Sequence, residues 1–178
     1  MDGPVLETER LILRPPRLED FDPLAAFLAD EAATVHLGGP IGREMAWTRM
    51  VGLAGSWALL GFGMFCVIEK ATGRWIGRVG PLRPEGWPGP EVGWGLAREA
   101  WGRGYATEAA AASLDFVFDR LGWTEVVHCI APDNRPSVEV ARRLGSTLQG
   151  PGRLPPPYEE VRIDLWGQDR DHWRARRR

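Results

Sequence analysis

The sequence has few cysteines, no long apolar run and almost no net charge, and each shortage excludes a class of protein. No apolar segment approaches the ~20 residues that a membrane-spanning helix needs. The first residues lack the basic stretch and apolar core of a signal peptide. A net charge of −2 gives the chain as a whole no attraction for nucleic acid or an anionic membrane. These absences predict a cytoplasmic protein with neither a membrane nor a nucleic-acid partner.

The cysteines and histidines do not form the pattern of a metal site. Cys66 and Cys129 lie in apolar, strand-like runs, which predicts small buried core residues rather than a disulfide or a nucleophile. The three histidines, His36, His128 and His172, are scattered along the chain and lack metal-ligand spacing. The sequence therefore predicts no metal.

Apolar periodicity and turn residues divide the 178 residues into strands and helices of one domain, 1–178. The predicted strands are 5–14, 62–69, 74–82, one from 91, 125–130, 146–149 and 158–166, and the predicted helices are 18–29, 44–57, 104–121 and 134–144. This order predicts an α/β (α+β) fold in which helices cover both faces of a mixed sheet of about seven strands. The unit from 91 to 130 should be a right-handed parallel crossover. Residues 167–178 are expected to be a mobile or helical basic tail.

The most informative segment is the glycine-bearing loop between the strand at Glu91 and the following alanine-rich helix. Such a loop turns backbone N–H groups toward one point at the positive end of a helix, which suits phosphate or pyrophosphate. The segment lacks the Gly-Lys-Ser/Thr ending of a Walker A loop and the three-glycine spacing of a dinucleotide-binding turn. An ordinary strand-to-helix turn would also use glycines, so the loop alone leaves both interpretations open.

Three segments together resemble the GNAT superfamily of acetyl-CoA-dependent N-acetyltransferases, and more narrowly its RimJ/RimL-type branch. They are Arg10-Leu-Ile-Leu-Arg-Pro15, Trp101-Gly-Arg-Gly-Tyr-Ala-Thr-Glu-Ala109, and Asn134-Arg-Pro-Ser137 followed by Leu144-Gly145. The resemblance covers nearly the whole chain and implies a GNAT-like fold with a splay after the fourth strand. It implies acetyl-CoA as co-substrate, with the pyrophosphate contacted mostly through the main chain of Gly102, Arg103, Gly104, Tyr105, Ala106 and Thr107. Trp101 departs from the family signature, which has Gln or Arg there.

The resemblance also assigns residues to the rest of the carrier. Trp94 and Leu96 fall where the splayed strand frees backbone groups for the pantetheine arm and the thioester. A backbone N–H near Leu96 would stabilise the thioester oxygen as it gains negative charge. Asn134 corresponds to the family asparagine that bonds the pantetheine, although a plain helix N-cap is the competing interpretation.

For catalysis, the resemblance makes Glu91 the first candidate for the base that removes a proton from the amine. Its apolar neighbours favour a raised pKa, while a solvent-exposed strand-end glutamate is the alternative. The tyrosine that many relatives carry seven residues after the asparagine is Ala141 here, so Ser137 is the available acid for the leaving thiolate. A capping role for Ser137, and water as the acid, both stay open.

By family analogy the acceptor amine, a peptide N-terminus or a small molecule, enters between the His36–Gly42 connection and the Pro151–Tyr158 loop. This mouth is expected to be apolar and mildly acidic, with His36, Leu37, Leu154, Tyr158 and Glu159. Two rival functions remain: a non-catalytic acyl-CoA-binding sensor or interaction module, and an RNA-associated protein acting through Arg174–Arg178. Exposed tryptophans on the first helices leave a homodimer open.

Overall fold

Helices pack on both faces of one eight-stranded sheet in the computed structural model, which describes residues 3–177. The strands are β1 (Leu6–Glu7), β2 (Leu11–Arg14), β3 (Phe65–Glu69), β4 (Trp75–Leu82), β5 (Glu91–Leu96), β6 (Glu125–Ile130), β7 (Thr147–Gly152) and β8 (Ile163–Asp169). The helices are α1 (Phe21–Ala29), α2 (Glu31–Thr34), α3 (Arg43–Leu60), α4 (Tyr105–Asp119), α5 (Arg135–Leu144) and α6 (Arg170–Arg176). The spatial order is β1-β2-β3-β4-β5-β6-β8-β7, and β5–β6 is the parallel pair among these strands.

The mixed sheet predicted from the sequence is confirmed, and its first and last strands differ from the prediction. The expected strand 5–14 is a hairpin, because the Thr8 backbone N–H donates to Leu11 O and the Thr8 hydroxyl accepts from the Leu11 N–H. The sheet therefore has eight strands rather than seven. The last strand begins at Ile163 and not at Tyr158, because successive turns occupy the residues around Tyr158. The short helix α2 was not predicted.

Two apolar layers fix the helices on the sheet. On one face α4, with its buried residues Leu114, Val117 and Phe118, packs against β2, β4 and β5. On the other face α1 and α3 contribute Leu24, Phe27, Leu28, Ala46 and Met50. Cys66 lies in this second layer, whereas Cys129 is only half-buried, contrary to expectation; both are unbridged. None of the described helices has the length and apolar character needed to cross a bilayer.

The C-terminal segment is folded against α4. Residues 167–169 belong to β8, and the Asp169 carboxylate caps α6 by accepting from the His172 N–H. Trp173 is buried and donates its indole N–H to the Asp115 carboxylate at 2.9 Å. Arg174 and Arg177 pair with the acidic residues Asp119 and Asp115 of α4. Two of the arginines proposed as an RNA-binding tail are therefore paired within the fold, and Arg178 lies outside the described residues.

Candidate active site at a fork in the sheet

The parallel strands β5 and β6 separate almost as soon as they meet. Each is six residues long, yet they pair only where Glu91 lies opposite Val127. The Val127 N–H donates to Pro90 O at 2.9 Å, so the ladder is still regular at this point. Beyond this point the two strands form a fork that opens toward their carboxyl ends, where ligands of open α/β sheets bind.

Side chains replace the first broken rung of the fork. In a regular parallel ladder the Cys129 N–H would donate to Val92 O. Instead, the Cys129 N–H donates to the Glu91 carboxylate at 3.0 Å, and the His128 ring nitrogen Nδ1 lies 2.6 Å from Val92 O. Both backbone groups are thus satisfied, as buried polar groups must be. Glu91 and His128 allow the strands to part without leaving orphaned donors or acceptors.

His128 is a neutral, fully engaged imidazole. Because a carbonyl oxygen only accepts, the bond to Val92 O places the ring proton on Nδ1. Nε2 then accepts from the Ser146 hydroxyl at 3.0 Å, and Gln168 donates to the same hydroxyl oxygen. Burial lowers the pKa of His128 to about 4, against a weaker opposing effect of its bond to Val92.

Glu91 lies at the base of the fork with its carboxylate out of solvent. Its exposed fraction is 6%, and burial raises its pKa above the usual range, while hydrogen bonds from the Trp87 indole and the Cys129 N–H oppose this rise. The alternative of a solvent-exposed strand-end glutamate therefore does not hold, and the direction of the pKa shift is the one expected from the apolar surroundings of Glu91. Each carboxylate oxygen keeps a second lone pair, because it accepts one hydrogen bond.

The backbone of β5 presents donors to the open side of the fork. The Ala97 N–H donates to Ile76 O on β4, and hydrogen-bonding groups alternate in direction along an antiparallel pair. The N–H groups of Trp94 and Leu96 therefore point away from β4 and toward the gap that β6 has left. The Leu96 carbonyl accepts from the Trp101 indole at 2.8 Å, which fixes this end of the strand.

Ser137 and Asn134 lie at the start of α5, beside the same gap. The Trp94 indole N–H donates to the Ser137 hydroxyl at 3.1 Å. Since an indole only donates, Ser137 acts as acceptor here and its own hydroxyl proton is available to another group. The Asn134 side-chain oxygen accepts from the Ser137 N–H at 3.3 Å and caps α5, which leaves the Asn134 amide N–H₂ as donor.

The glycine-bearing loop has the features of an anion site. Gly102 and Gly104 have φ of 70° and 79°, the left-handed region that glycine adopts without strain. Within residues 3–177, no acceptor takes a hydrogen bond from the backbone N–H groups of 102–107. The Thr107 hydroxyl oxygen is buried at the same helix start and also has no partner there. These donors fit the diphosphate of a nucleotide carrier, which would supply the missing acceptors.

The side chains of the loop turn away from this cradle. The Arg103 guanidinium pairs with Glu69 at 2.9 Å and lies over the Tyr105 ring. Tyr105 is buried and donates its hydroxyl to Glu69, so only its main chain is presented at the loop. Arg10 holds the Arg103 carbonyl and the Glu108 carboxylate, which ties the N-terminal hairpin to α4. A phosphate contact through the Arg103 side chain would require its release from Glu69.

The residues expected at the acceptor mouth lie in two places. Leu37 covers Gly95 of the fork, within 3.6 Å of where a Cβ of that glycine would be. Tyr158 packs beside Gly38, which joins the two segments expected to frame the acceptor. Leu154 and Glu159 instead line a separate groove, of about 280 Å³, with Gly86 and neighbouring prolines. His36 contacts Asp133 at 3.8 Å, at the loop before α5.

Sequence reasoning missed two residues that the structure places at the fork. His128 was read only as a scattered histidine, and its contact with Val92 depends on a strand pairing that sequence alone does not give. Arg78 was not singled out, although an arginine inside the apolar run of β4 was a usable signal. In the described part of the chain, no cluster of three or more His, Cys, Asp or Glu side chains has the geometry of a metal site.

Known proteins share both the sequence pattern and this architecture. Residues 10–147 match the acetyltransferase (GNAT) domain family. The chain is 30% identical to p20 of Bacillus licheniformis, described as an uncharacterized N-acetyltransferase, over 82% of this chain and 83% of that protein. An acetyltransferase from Agrobacterium tumefaciens is 33% identical, with a TM-score of 0.81 over 94% of this chain and 95% of that one.

A ribosomal-protein-S5-alanine acetyltransferase from Vibrio fischeri shares the fold, with a TM-score of 0.72 and 20% identity over 96% and 99% of the two chains. RimL, in complex with coenzyme A, also shares the fold, with a TM-score of 0.77 and 16% identity over 95% of this chain and 99% of that one. The glycine-bearing loop and the fork thus occur together on the fold that the sequence predicted. The chain belongs to the GNAT family and is an acetyl-CoA-dependent N-acetyltransferase.

Proposed function

We propose that the protein transfers the acetyl group of acetyl-CoA to a primary amine by direct attack within a ternary complex. The observation that carries this proposal is the fork, which brings a buried carboxylate and outward-facing backbone N–H groups to one gap in the sheet. Acetyl-CoA, when bound, supplies an activated acyl thioester. The loop 102–107 and Asn134 bind and orient it, and Glu91 and Ser137 move the protons.

The loop 102–107 holds the diphosphate in this proposal. Its N–H groups and the Thr107 hydroxyl have no competing partners in the described chain, and the N-terminus of α4 adds a positive dipole end. Asn134 donates its amide to the pantetheine arm while its oxygen continues to cap α5. The N–H groups of Trp94 and Leu96 complete the path into the fork, and that of Leu96 stabilises negative charge at the acyl oxygen.

Glu91 acts as the general base. An amine is mostly protonated at neutral pH, so its proton must leave before the nitrogen attacks. Because burial raises the pKa of Glu91, its carboxylate is a stronger base than an exposed glutamate would be. The Cys129 N–H and the Trp87 indole hold the two carboxylate oxygens of Glu91 in place. The second lone pair of either oxygen takes the proton, directly or through water.

Ser137 donates a proton to the leaving thiolate. The Trp94 indole N–H donates to one lone pair of the Ser137 hydroxyl and cannot accept its proton, which is therefore free to go to another group. The demand on this residue is modest, because a thiol with a pKa of ~8.5 leaves readily. Water is the alternative donor, and substitution of Ser137 is expected to slow transfer without stopping it.

The acceptor is a primary amine on a peptide N-terminus or on a small molecule. A steady-state assay for released thiol, with acetyl-CoA and a panel of such amines, tests the proposal. Amine-dependent thiol release with a mass increase of one acetyl group on the amine supports it. Tight acetyl-CoA binding without transfer to any amine would instead favour the sensor.

A further inference from the structure

One half-buried arginine beside the fork, Arg78, has no anionic partner among residues 3–177. Arg78 lies on β4 directly opposite Gly95, on the sheet face that also carries Gly93 and Glu91. Its Nε is buried and makes no hydrogen bond to any residue between 3 and 177, and no carboxylate within this range forms a salt bridge with it. Its one side-chain hydrogen bond is the weak contact from Nη1 to the Met64 sulfur at 3.5 Å.

The neighbouring strands show how this fold treats a buried arginine when it is structural. Arg14 of β2 and Arg78 of β4 both lie opposite Cys66 of β3, on its two sides. Arg14 forms two hydrogen bonds with the Asp20 carboxylate, at 2.7 and 2.8 Å. Within the described residues Arg78 has no such partner, although a charged group withdrawn from solvent without a counter-ion is costly.

The groups around Arg78 increase this cost instead of relieving it. Cys66 does not supply a negative charge, because burial raises its pKa to about 12 and the thiol is protonated at neutral pH. Burial, and then the nearby Arg49 cation, lower the pKa of Arg78. Arg49 itself donates to the Tyr158 hydroxyl. Two arginines and a tyrosine hydroxyl therefore converge on one side of the fork.

This cluster lies on the side from which an acceptor would reach Glu91. The Met64 sulfur that Arg78 contacts belongs to a side chain whose Cε is 3.8 Å from where a Cβ of Gly93 would be. The Glu91 oxygen Oε1 is 3.6 Å from the same point. Arg78 is thus connected through Met64 to the position of Gly93, beside the proposed base, where the Leu82 Cδ2 atom also packs, 3.0 Å from the same point.

We propose that the acceptor amine carries a carboxylate a few bonds from its nitrogen, and that Arg78 binds this carboxylate with support from Arg49 and Tyr158. This inference rests on the proposed acetyl transfer and names its substrate class. A guanidinium group binds a carboxylate through two parallel hydrogen bonds. The carboxylate of the acceptor would thus be the counter-ion that Arg78 lacks among the described residues. In this proposal the side of the mouth formed by Arg78 and Arg49 is basic, whereas the sequence predicted a mildly acidic mouth.

Paired amines that differ only in the charge of one group test the proposal. Glycine with glycinamide and β-alanine with β-alaninamide serve as acceptors, and kcat/KM is measured for wild type, Arg78→Met, Arg78→Lys and the control Arg120→Met. Arg120 is an exposed arginine at the end of α4. The preference for acid over amide in each variant is divided by that of the wild type, so differences in amine basicity cancel.

We expect Arg78→Met to reduce the acid-over-amide preference by about tenfold or more, the size of a lost charge-assisted pair. Arg78→Lys keeps the positive charge but cannot donate two parallel hydrogen bonds, so it should retain only part of the preference. Arg120→Met should match wild type. Acetyl-CoA affinity and the unfolding temperature of each variant verify that the fold is intact.

The outcomes separate this inference from the proposed function. If acids and amides are acetylated and Arg78→Met leaves their ratio unchanged, the carboxylate subsite is wrong and acetyl transfer stands. If no amine reacts, calorimetric titration of the CoA-saturated protein with β-alanine decides. Binding that is lost in Arg78→Met and kept in Arg120→Met supports the subsite, and equal affinity in all variants overturns it.

Discussion

At the scale of single residues, the Glu91 side chain has a structural role and is also placed to act as a base. Its carboxylate replaces a lost backbone acceptor for Cys129 and also faces the open fork. A base of this kind must be ionised to act, so activity should rise with pH through its raised pKa. The two positions are compatible, because the hydrogen bonds that hold the carboxylate leave lone pairs unused.

Glu91→Gln should lower kcat/KM for a good acceptor by roughly 10²-fold, because general-base catalysis contributes at about that level. The acid limb of the pH–rate profile should disappear with it, while acetyl-CoA affinity stays close to that of wild type. Glu125→Gln, an exposed glutamate at the start of β6, is the matched control. A pH–rate profile that is the same in wild type and Glu91→Gln would remove Glu91 from the mechanism.

Trp94 and Ser137 should act as a unit. Trp94→Phe keeps an aromatic ring and removes only the N–H that directs the Ser137 hydroxyl. We expect Trp94→Phe and Ser137→Ala each to lower kcat more than they raise KM, and the double variant to be hardly slower than Ser137→Ala alone. Fully additive effects in this double-mutant cycle would show that the indole does not work through the serine.

His128 should make stability depend on pH. Its pKa is about 4 in the folded protein and ~6.5 in an unfolded chain, so the unfolded state binds more protons between these values. The stability that neutral His128 contributes is therefore fully present above ~6.5 and is lost as pH falls toward about 4, by up to ~3 kcal/mol.

Urea unfolding of wild type and His128→Gln across this pH range measures the effect. The free-energy difference between the two proteins should shrink as the solution is acidified, since glutamine does not titrate. The other titrating groups are common to both proteins and cancel. A difference that is constant with pH would mean that His128 is not held neutral at the fork.

At the scale of elements, the backbone conformation of Gly104 determines where the N–H groups of the loop before α4 point. A residue with Cβ at φ near +79° costs about 1–2 kcal/mol, so Gly104→Val should reduce stability modestly and displace the N–H groups that bind the diphosphate. Gly122→Val is a matched control, because Gly122 has φ of 70° beyond the other end of α4, with open space around it.

Both variants should show a similar loss of unfolding free energy, and only Gly104→Val should lose CoA affinity by calorimetry. Wild-type affinity in Gly104→Val would show that the carrier binds elsewhere. Equal losses of affinity in both variants would show that general destabilisation, and not the loop, is responsible.

The boundaries of the elements show what local pattern predicts well. Strand β6 and helix α5 agree closely with prediction, because a β-branched run and an Asn–Pro start with a Gly end are local signals. A single strand was predicted where the structure has β1 and β2, because the turn near Thr8 depends on hydrogen bonds and not on a glycine or proline. The start of β8 was misplaced because only pairing with β6 and β7 shows where it begins.

At the scale of the whole molecule, α6 locks the C-terminus onto α4. Trp173→Ala removes a buried aromatic and its bond to Asp115, and should destabilise the protein by about 3–5 kcal/mol. His172→Ala changes a neighbour that is exposed and is the control. Thermal unfolding measures both. A variant Trp173→Ala as stable as wild type would mean that the tail does not contribute to the core.

The sequence alone determined the class of chemistry. The family signature is a run of consecutive residues, and the order of helices and strands follows from local patterns of apolar and turn residues. Only the tertiary structure decided how the fork is held and what faces it. The hydrogen bonds that cross the fork, from Glu91 to Cys129, from His128 to Val92 and from Trp94 to Ser137, join residues 36 to 43 positions apart, and no local pattern encodes them. That Arg78 has no counter-ion among residues 3–177 was also decided by the tertiary structure, because it becomes visible only when the neighbours of Arg78 have been placed.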